Sequence, residues 1–173
     1  MNEPELTQHI KEIILSQNIT LSENAWNEIA AIWEVVDVKR KTIISEPGPV
    51  EKYIYFVVEG VQRVYYFDEH NREATLVFSY PYSFTGILDS FLLQSPSKYY
   101  FETLTNSVLL KTTYTQFQAM VKQFPEFEEF TRKATNYVIS GLLERLVELQ
   151  CFSSEEKFRK LLKRSPHILD YVP

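Results

Sequence analysis

The chain is poor in the residues that build covalent and metal centres. Of its 173 residues one is cysteine, Cys151, and three are histidine, His9, His70 and His167. A single thiol cannot close an intramolecular disulfide or ligate an iron–sulfur cluster. The histidines fall in three separate stretches, without an HxH pair or HExxH spacing, and are expected at the surface. A cupin-like metal-dependent enzyme would need at least two of them clustered. Four glycines and eight prolines exclude low complexity and long flexible linkers. Lys and Arg number 18 against 23 Asp and Glu, a net charge of −5 with pI near 5.3, so the concentrated basic face that neutralises phosphates is missing. No run approaches the roughly 18 apolar residues of a membrane span, and no charged-then-apolar leader opens the chain, so a cytoplasmic protein with no membrane part is expected. GxSxG, P-loop and GxGxxG strings are absent. Cys151, without a nearby histidine in sequence, is expected to be structural, and no enzyme chemistry is indicated.

What the chain has in excess is rings: 12 Phe and 11 Tyr, which suit a pleated, sheet-rich core. The size, 20.4 kDa, allows one well-filled domain with a helical appendage. Residues 1–34 predict two helices. Leu6, Ile10, Ile13 and Ile14 share one face of the first, and Ser22 caps a second that buries Trp26, Ile29, Ala30 and Trp33. From Val35 the period drops to two, and short strands follow over 35–38, 42–45, 53–59, 61–67, 73–80, 98–104 and 108–112, with an irregular stretch at 81–97. Seven or so short strands at regular spacing predict an α+β protein built on a β-roll or jelly roll, a double-stranded β-helix over 35–125. Thr113 with Gln116 and Ser153 with Glu156 have capping-box spacing. Between them, 126–150 predicts one long helix.

That helix carries the first functional indication. At 100° per residue, Val138, Leu149, Leu142, Leu146, Ile139, Leu143 and Val147 fan over about half its circumference, wider than the roughly 100° stripe that docking on one core requires. The surplus predicts two partners, the roll on one side and a second copy of the helix on the other, hence a homodimer. Glu144, Arg145 and Glu148 fall on the arc expected to face solvent.

The order helices, roll, short helix, long helix, together with certain strings, resembles the Crp/Fnr family of regulators and its cyclic-nucleotide-binding domain, over about residues 20–173. Gly48 precedes Tyr53-Ile54-Tyr55-Phe56-Val57-Val58-Glu59-Gly60, similar to the family's apolar strand closed by glycine, and Val61-Gln62-Arg63-Val64-Tyr65 continues the hairpin. Ser83-Phe84-Thr85-Gly86-Ile87-Leu88 stands where the phosphate-binding cassette begins, and Phe101-Glu102-Thr103-Leu104-Thr105-Asn106-Ser107 resembles the strand and turn after it. The resemblance implies a small-molecule effector in the roll, with signal passed to the long helix as a shift between two dimer arrangements.

The chain departs from the family where a cyclic nucleotide would be held. Ile87 stands in place of the glutamate that binds the ribose, and the position of the phosphate-gripping arginine falls at about Ser97, beside Lys98. The expected pocket comprises Ser83, Phe84, Thr85, Gly86, Ile87, Leu88, Ser97, Lys98 and Tyr99, with no certain cofactor; a cyclic nucleotide or another small effector would occupy it. The rings Tyr82, Phe84, Phe91, Tyr99, Tyr100 and Phe101 either fill the roll or line an aromatic pocket. A ligand-free dimerisation module is the alternative to a sensor. Some relatives bind haem, for which His70 is the one histidine in a loop beside the sheet. Residues 151–173 resemble the hinge and opening of a helix-turn-helix, with Lys157, Arg159, Lys160, Lys163 and Arg164 on a solvated helical face. The recognition helix that would read DNA is not among these residues, so DNA contact is expected only through a C-terminal module outside them.

Overall fold

Tyr53 to Val58 is an uninterrupted apolar run because the strand it forms is covered on both faces. Successive side chains of a strand point to opposite sides, and here each side meets a separate core. In the computed structural model, which describes residues 3–166 and 168–171, Tyr55 and Val57 face the inside of a β-roll with Val64, Ile87, Phe101 and Leu109. Ile54, Phe56 and Val58 face outward into a helical core with Leu6, Ile10, Ile14, Ile29, Trp33, Phe117, Phe127 and Phe130.

The roll has eight antiparallel strands: β1 (Glu34–Val38), β2 (Ile43–Ser45), β3 (Tyr53–Glu59), β4 (Gln62–Phe67), β5 (Glu73–Ser79), β6 (Phe84–Thr85), β7 (Tyr100–Thr103) and β8 (Ser107–Thr113). They form two four-stranded sheets in the orders β1-β8-β3-β6 and β2-β7-β4-β5. This is the expected α+β roll. Gly60, at φ +95°, makes the β3–β4 turn; a Cβ there would collide with Ser107 Oγ and the Asn106 carbonyl. Two features escaped the period-two reading of the sequence. The stretch 81–97 contains the two-residue β6 and a six-residue helix, Leu88–Leu93, both too short to show a period. A register shift between Val64 and Tyr65 in the β4–β5 pair puts Leu76 and Val77, consecutive residues, both toward solvent at 41% and 45% exposure.

The helices are α1 (Glu3–Ser16), α2 (Glu23–Ala31), α3 (Leu88–Leu93), α4 (Tyr114–Gln123), α5 (Pro125–Cys151) and α6 (Ser154–Arg164), followed by a 3-10 turn, Ile168–Asp170. Ser22 caps α2, and both expected capping boxes form. Pro125 does more than stop α4: it occupies the first turn of α5, where its missing N–H is harmless. No helix among the described residues is long and apolar enough to cross a membrane.

One expectation for α5 is corrected. Glu148 does not lie on a solvated arc; it is 8% exposed. Past Cys151 the chain turns back, and Arg164 of α6 closes on the Glu148 carboxylate with two hydrogen bonds of 2.6 and 2.8 Å from one nitrogen.

Candidate functional site

A cavity of about 340 Å³ opens between the cassette segment and α5. Phe84, Thr85, Gly86, Ile87, Leu88 and Tyr99 contribute from the cassette and the strand after it; Val138 and Leu142 contribute from α5. Gly86 sits at φ +122°, a conformation that L side chains rarely adopt, and a Cβ there would press to 3.3 Å from the Tyr55 ring. The Ser79 and Thr85 hydroxyls, buried at its wall, satisfy each other at 2.6 Å. Asp89 is the charged residue of the lining, which apart from that hydroxyl pair presents mainly aliphatic and aromatic carbon.

The remaining cassette residues go elsewhere. Ser83 donates its hydroxyl to the Tyr80 carbonyl at 2.6 Å and accepts the Tyr80 N–H, fixing the turn into β6. The Ser97 hydroxyl is spent on the backbone of Tyr99, accepting from its N–H and donating to its carbonyl at 3.0 Å each. Lys98 is exposed. The rings divide in the same way. Phe91 and Phe101 are fully buried, Tyr82 is exposed and lies tilted against the His9 ring at 4.4 Å, and Tyr100 stacks on Tyr65 at 5.0 Å. Val64, Leu76, Val77, Ser79 and Asp89 also form the wall, beyond the residues expected from the sequence; the adjacent apolar pair Leu76-Val77, breaking the alternation of β5, is the signal that points to them.

The apolar arc of α5 lies open in the single chain: Val138, Ile139, Leu142, Leu143, Leu146, Val147 and Leu149 range from 43% to 62% exposed. Arg63, on the outer face of the second sheet, is saturated, bonded to Glu102 at 2.9 Å and Glu73 at 2.5 Å and lying 4.3 Å over the Tyr65 ring. Its carboxylate partners raise its pKa against the lowering effect of burial. Among the described residues no three His, Cys, Asp or Glu side chains gather to hold a metal ion. His70 lies exposed in the β4–β5 loop, and His167 lies outside the described residues, as do Val172 and Pro173 of the hinge-like segment. Cys151 is exposed.

An antiparallel roll flanked by helices, with a Gly-containing turn and short helix beside a long C-terminal helix, is the architecture of the cyclic nucleotide-binding class of domain. The cyclic nucleotide-binding domain family matches residues 35–124, a little over half the chain, and the chain belongs to it. Among solved structures, the catabolite activator protein of Thermus thermophilus shares the fold at 18% identity and TM-score 0.63, covering 84% of this chain and 70% of that one. The sensor domain of the transcriptional regulator DNR from Pseudomonas aeruginosa follows it at 12% identity and TM-score 0.65, over 87% and 97%. The regulatory domain of Toxoplasma gondii PKA, solved with cAMP, aligns at 15% identity and TM-score 0.58 over 68% of this chain and 44% of its own. No curated protein sequence matches the chain.

Proposed function

We propose that the chain is the effector-sensing part of a Crp/Fnr-type transcriptional regulator, a binding domain rather than an enzyme, whose effector is a small and largely apolar molecule held between the cassette and α5. The observation that carries this is the joint lining of one cavity by Gly86, Ile87 and Tyr99 of the roll and Val138 and Leu142 of the long helix. A ligand there touches both the sensor and the element that leaves it, so occupancy biases how α5 sits. Its chemistry argues against an ordinary cyclic nucleotide. No Lys or Arg lines the cavity and Asp89 does, so a cyclic phosphate would lack its charge partner. A charge-assisted hydrogen bond is worth about 1.5–3 kcal/mol, one to two decades of affinity for each of the two lost at Ile87 and Ser97.

Specific support exists for a second reading, a dimerisation module without an effector: Tyr55, Ile87, Phe101 and Leu109 pack the interior of the roll. A thermal-shift screen separates the two. Cyclic AMP, cyclic GMP, cyclic dinucleotides, haem and small apolar metabolites are offered to the purified chain; a ligand at 100 times its Kd adds about 2.7 kcal/mol of stability. A saturable rise with an apolar compound, lost on Val138→Asp, supports the sensor. A rise with cyclic AMP overturns the apolar assignment, and silence throughout leaves the dimer module.

A further inference from the structure

We propose that a second cavity, on the other side of Tyr55, binds a small organic ammonium ion through Glu51. This cavity, about 320 Å³, lies between β2, the loop into β3 and the start of β3, with Ser45, Glu46, Glu51, Tyr53, Tyr55 and Ser97 in its wall. It is distinct from the cavity against α5 and does not depend on what occupies that one.

Glu51 is 6% exposed, unusual for a carboxylate. Its position is held from several directions. One carboxylate oxygen accepts the N–H of Lys52 at 3.0 Å and of Tyr53 at 3.2 Å, the other accepts the Ser45 hydroxyl, and its own N–H donates to Ser90 Oγ at 2.9 Å. All these donors are neutral. Among the described residues no Lys, Arg or His forms an ion pair with it, whereas Glu73, Glu102 and Glu148 each have an arginine. A buried charge without a counter-charge is costly to keep, and an ionised carboxylate offers about four acceptor positions, of which three are used. The site therefore presents a carboxylate held in place by neutral donors, with one acceptor position left for a cationic donor.

The aromatic wall fits the same chemistry. Tyr53 and Tyr55 stand with ring centroids 6.2 Å apart beside this carboxylate. Ring faces attract cations; one such position at Tyr53 is already taken by the Lys111 ammonium, 5.0 Å from its centroid and paired with Glu34, so the position open to a ligand is the one beside Glu51 and Tyr55. Burial first, and the Glu51 charge next, push the Tyr55 phenol above its ordinary pKa, so it stays neutral and adds no charge of its own. A metal ion would want more ligands than one buried carboxylate, and among the described residues no such cluster exists. An anion would meet Glu51, with Glu46 exposed at the rim. Lys52, the cation of the lining, is exposed. The volume accommodates an ammonium group carrying a short apolar body. The cassette's flank thus has the opposite charge preference from a phosphate site.

The test uses n-butylammonium chloride against 1-butanol, its neutral counterpart of equal length, by calorimetry on the whole chain at constant ionic strength. Saturable binding of butylammonium, with 1-butanol and inorganic phosphate silent, is the expected result. Glu51→Gln keeps an oxygen for the Lys52 and Tyr53 N–H groups while removing the charge, and should weaken butylammonium at least tenfold. Should that variant fail to fold, Tyr53→Leu, at a half-buried position, is expected to weaken it at least threefold. Equal behaviour of butylammonium and 1-butanol, or undiminished binding in the Gln variant, would overturn the proposal and leave Glu51 as a loop tie.

Discussion

Single side chains set the shape of the cavity and, separately, hold α6 against α5. Gly86 combines a φ that only glycine adopts freely with a Cβ position pressing on Tyr55. Gly86→Ala should therefore lower stability by about 1–3 kcal/mol, seen as a reduced midpoint in thermal unfolding, and should narrow the cavity against α5. Glu148 controls a different contact. The Arg164 hydrogen bond, chiefly, holds its carboxylate below the ordinary value of 4.5. A depressed folded pKa stabilises the fold above the unfolded pKa, and that contribution disappears as pH falls through the folded value. Hydrogen exchange over 161–170 should accelerate selectively as pH drops from 6 toward 3, after correction for intrinsic exchange. Glu148→Gln should show the faster exchange already at pH 6. Protection of 161–170 unchanged across that range would mean the ion pair contributes nothing to docking α6.

At the scale of elements, local signals were legible and return contacts were not. The boxes Thr113/Gln116 and Ser153/Glu156 depend on residues three apart, so spacing alone located the starts of α4 and α6. The twofold-buried β3 announced itself as an apolar run for the same reason, since each residue's neighbours are of one kind whichever face it takes. Of the cassette, the string around Gly86 was readable as a resemblance, whereas the division of its residues between the cavity and local backbone bonds was not. That Ser97 would spend its hydroxyl on Tyr99 depends on the bend at 97–99, which no period encodes. Glu148 looked solvated because its burial comes from α6 folding back, a contact across 16 positions. Phe101 tests the roll as an element. It is fully buried in β7, 5.3 Å from the Tyr55 ring and shared by the inner core. Phe101→Ala should cost about 3–5 kcal/mol in denaturant titration, and a loss below about 1 kcal/mol would show that the interior collapses to refill the space.

Across the whole molecule, the exposed side of α5 and the cavity at its base belong to one arrangement. Leu76 and Val77 of β5, both half-exposed, border the same cavity as Val138 and Leu142, so the apolar surface runs from the sheet edge onto the helix. An exposed apolar face is what a protein interface presents, and the proposed pairing of α5 with its copy would cover Ile139, Leu143, Leu146 and Val147 at about 1.5–3 kcal/mol for each large side chain fully buried. Sedimentation equilibrium at micromolar concentration should return twice the 20.4 kDa chain mass. Ile139→Glu with Leu146→Glu should return the single-chain mass while leaving the circular dichroism of the roll intact, because neither side chain belongs to either core cluster. A wild-type chain that stays monomeric would end the dimer reading. If the dimer forms, linkage makes a further demand. Val138 and Leu142 line the cavity proposed for the effector from the helix proposed to pair, so any ligand there that tightens the dimer must itself bind more tightly to the dimer by the same factor. An apolar hit from the thermal screen whose Kd is equal in wild type and in the double variant would show that the cavity and the dimer are independent, and that signal does not leave the roll through α5.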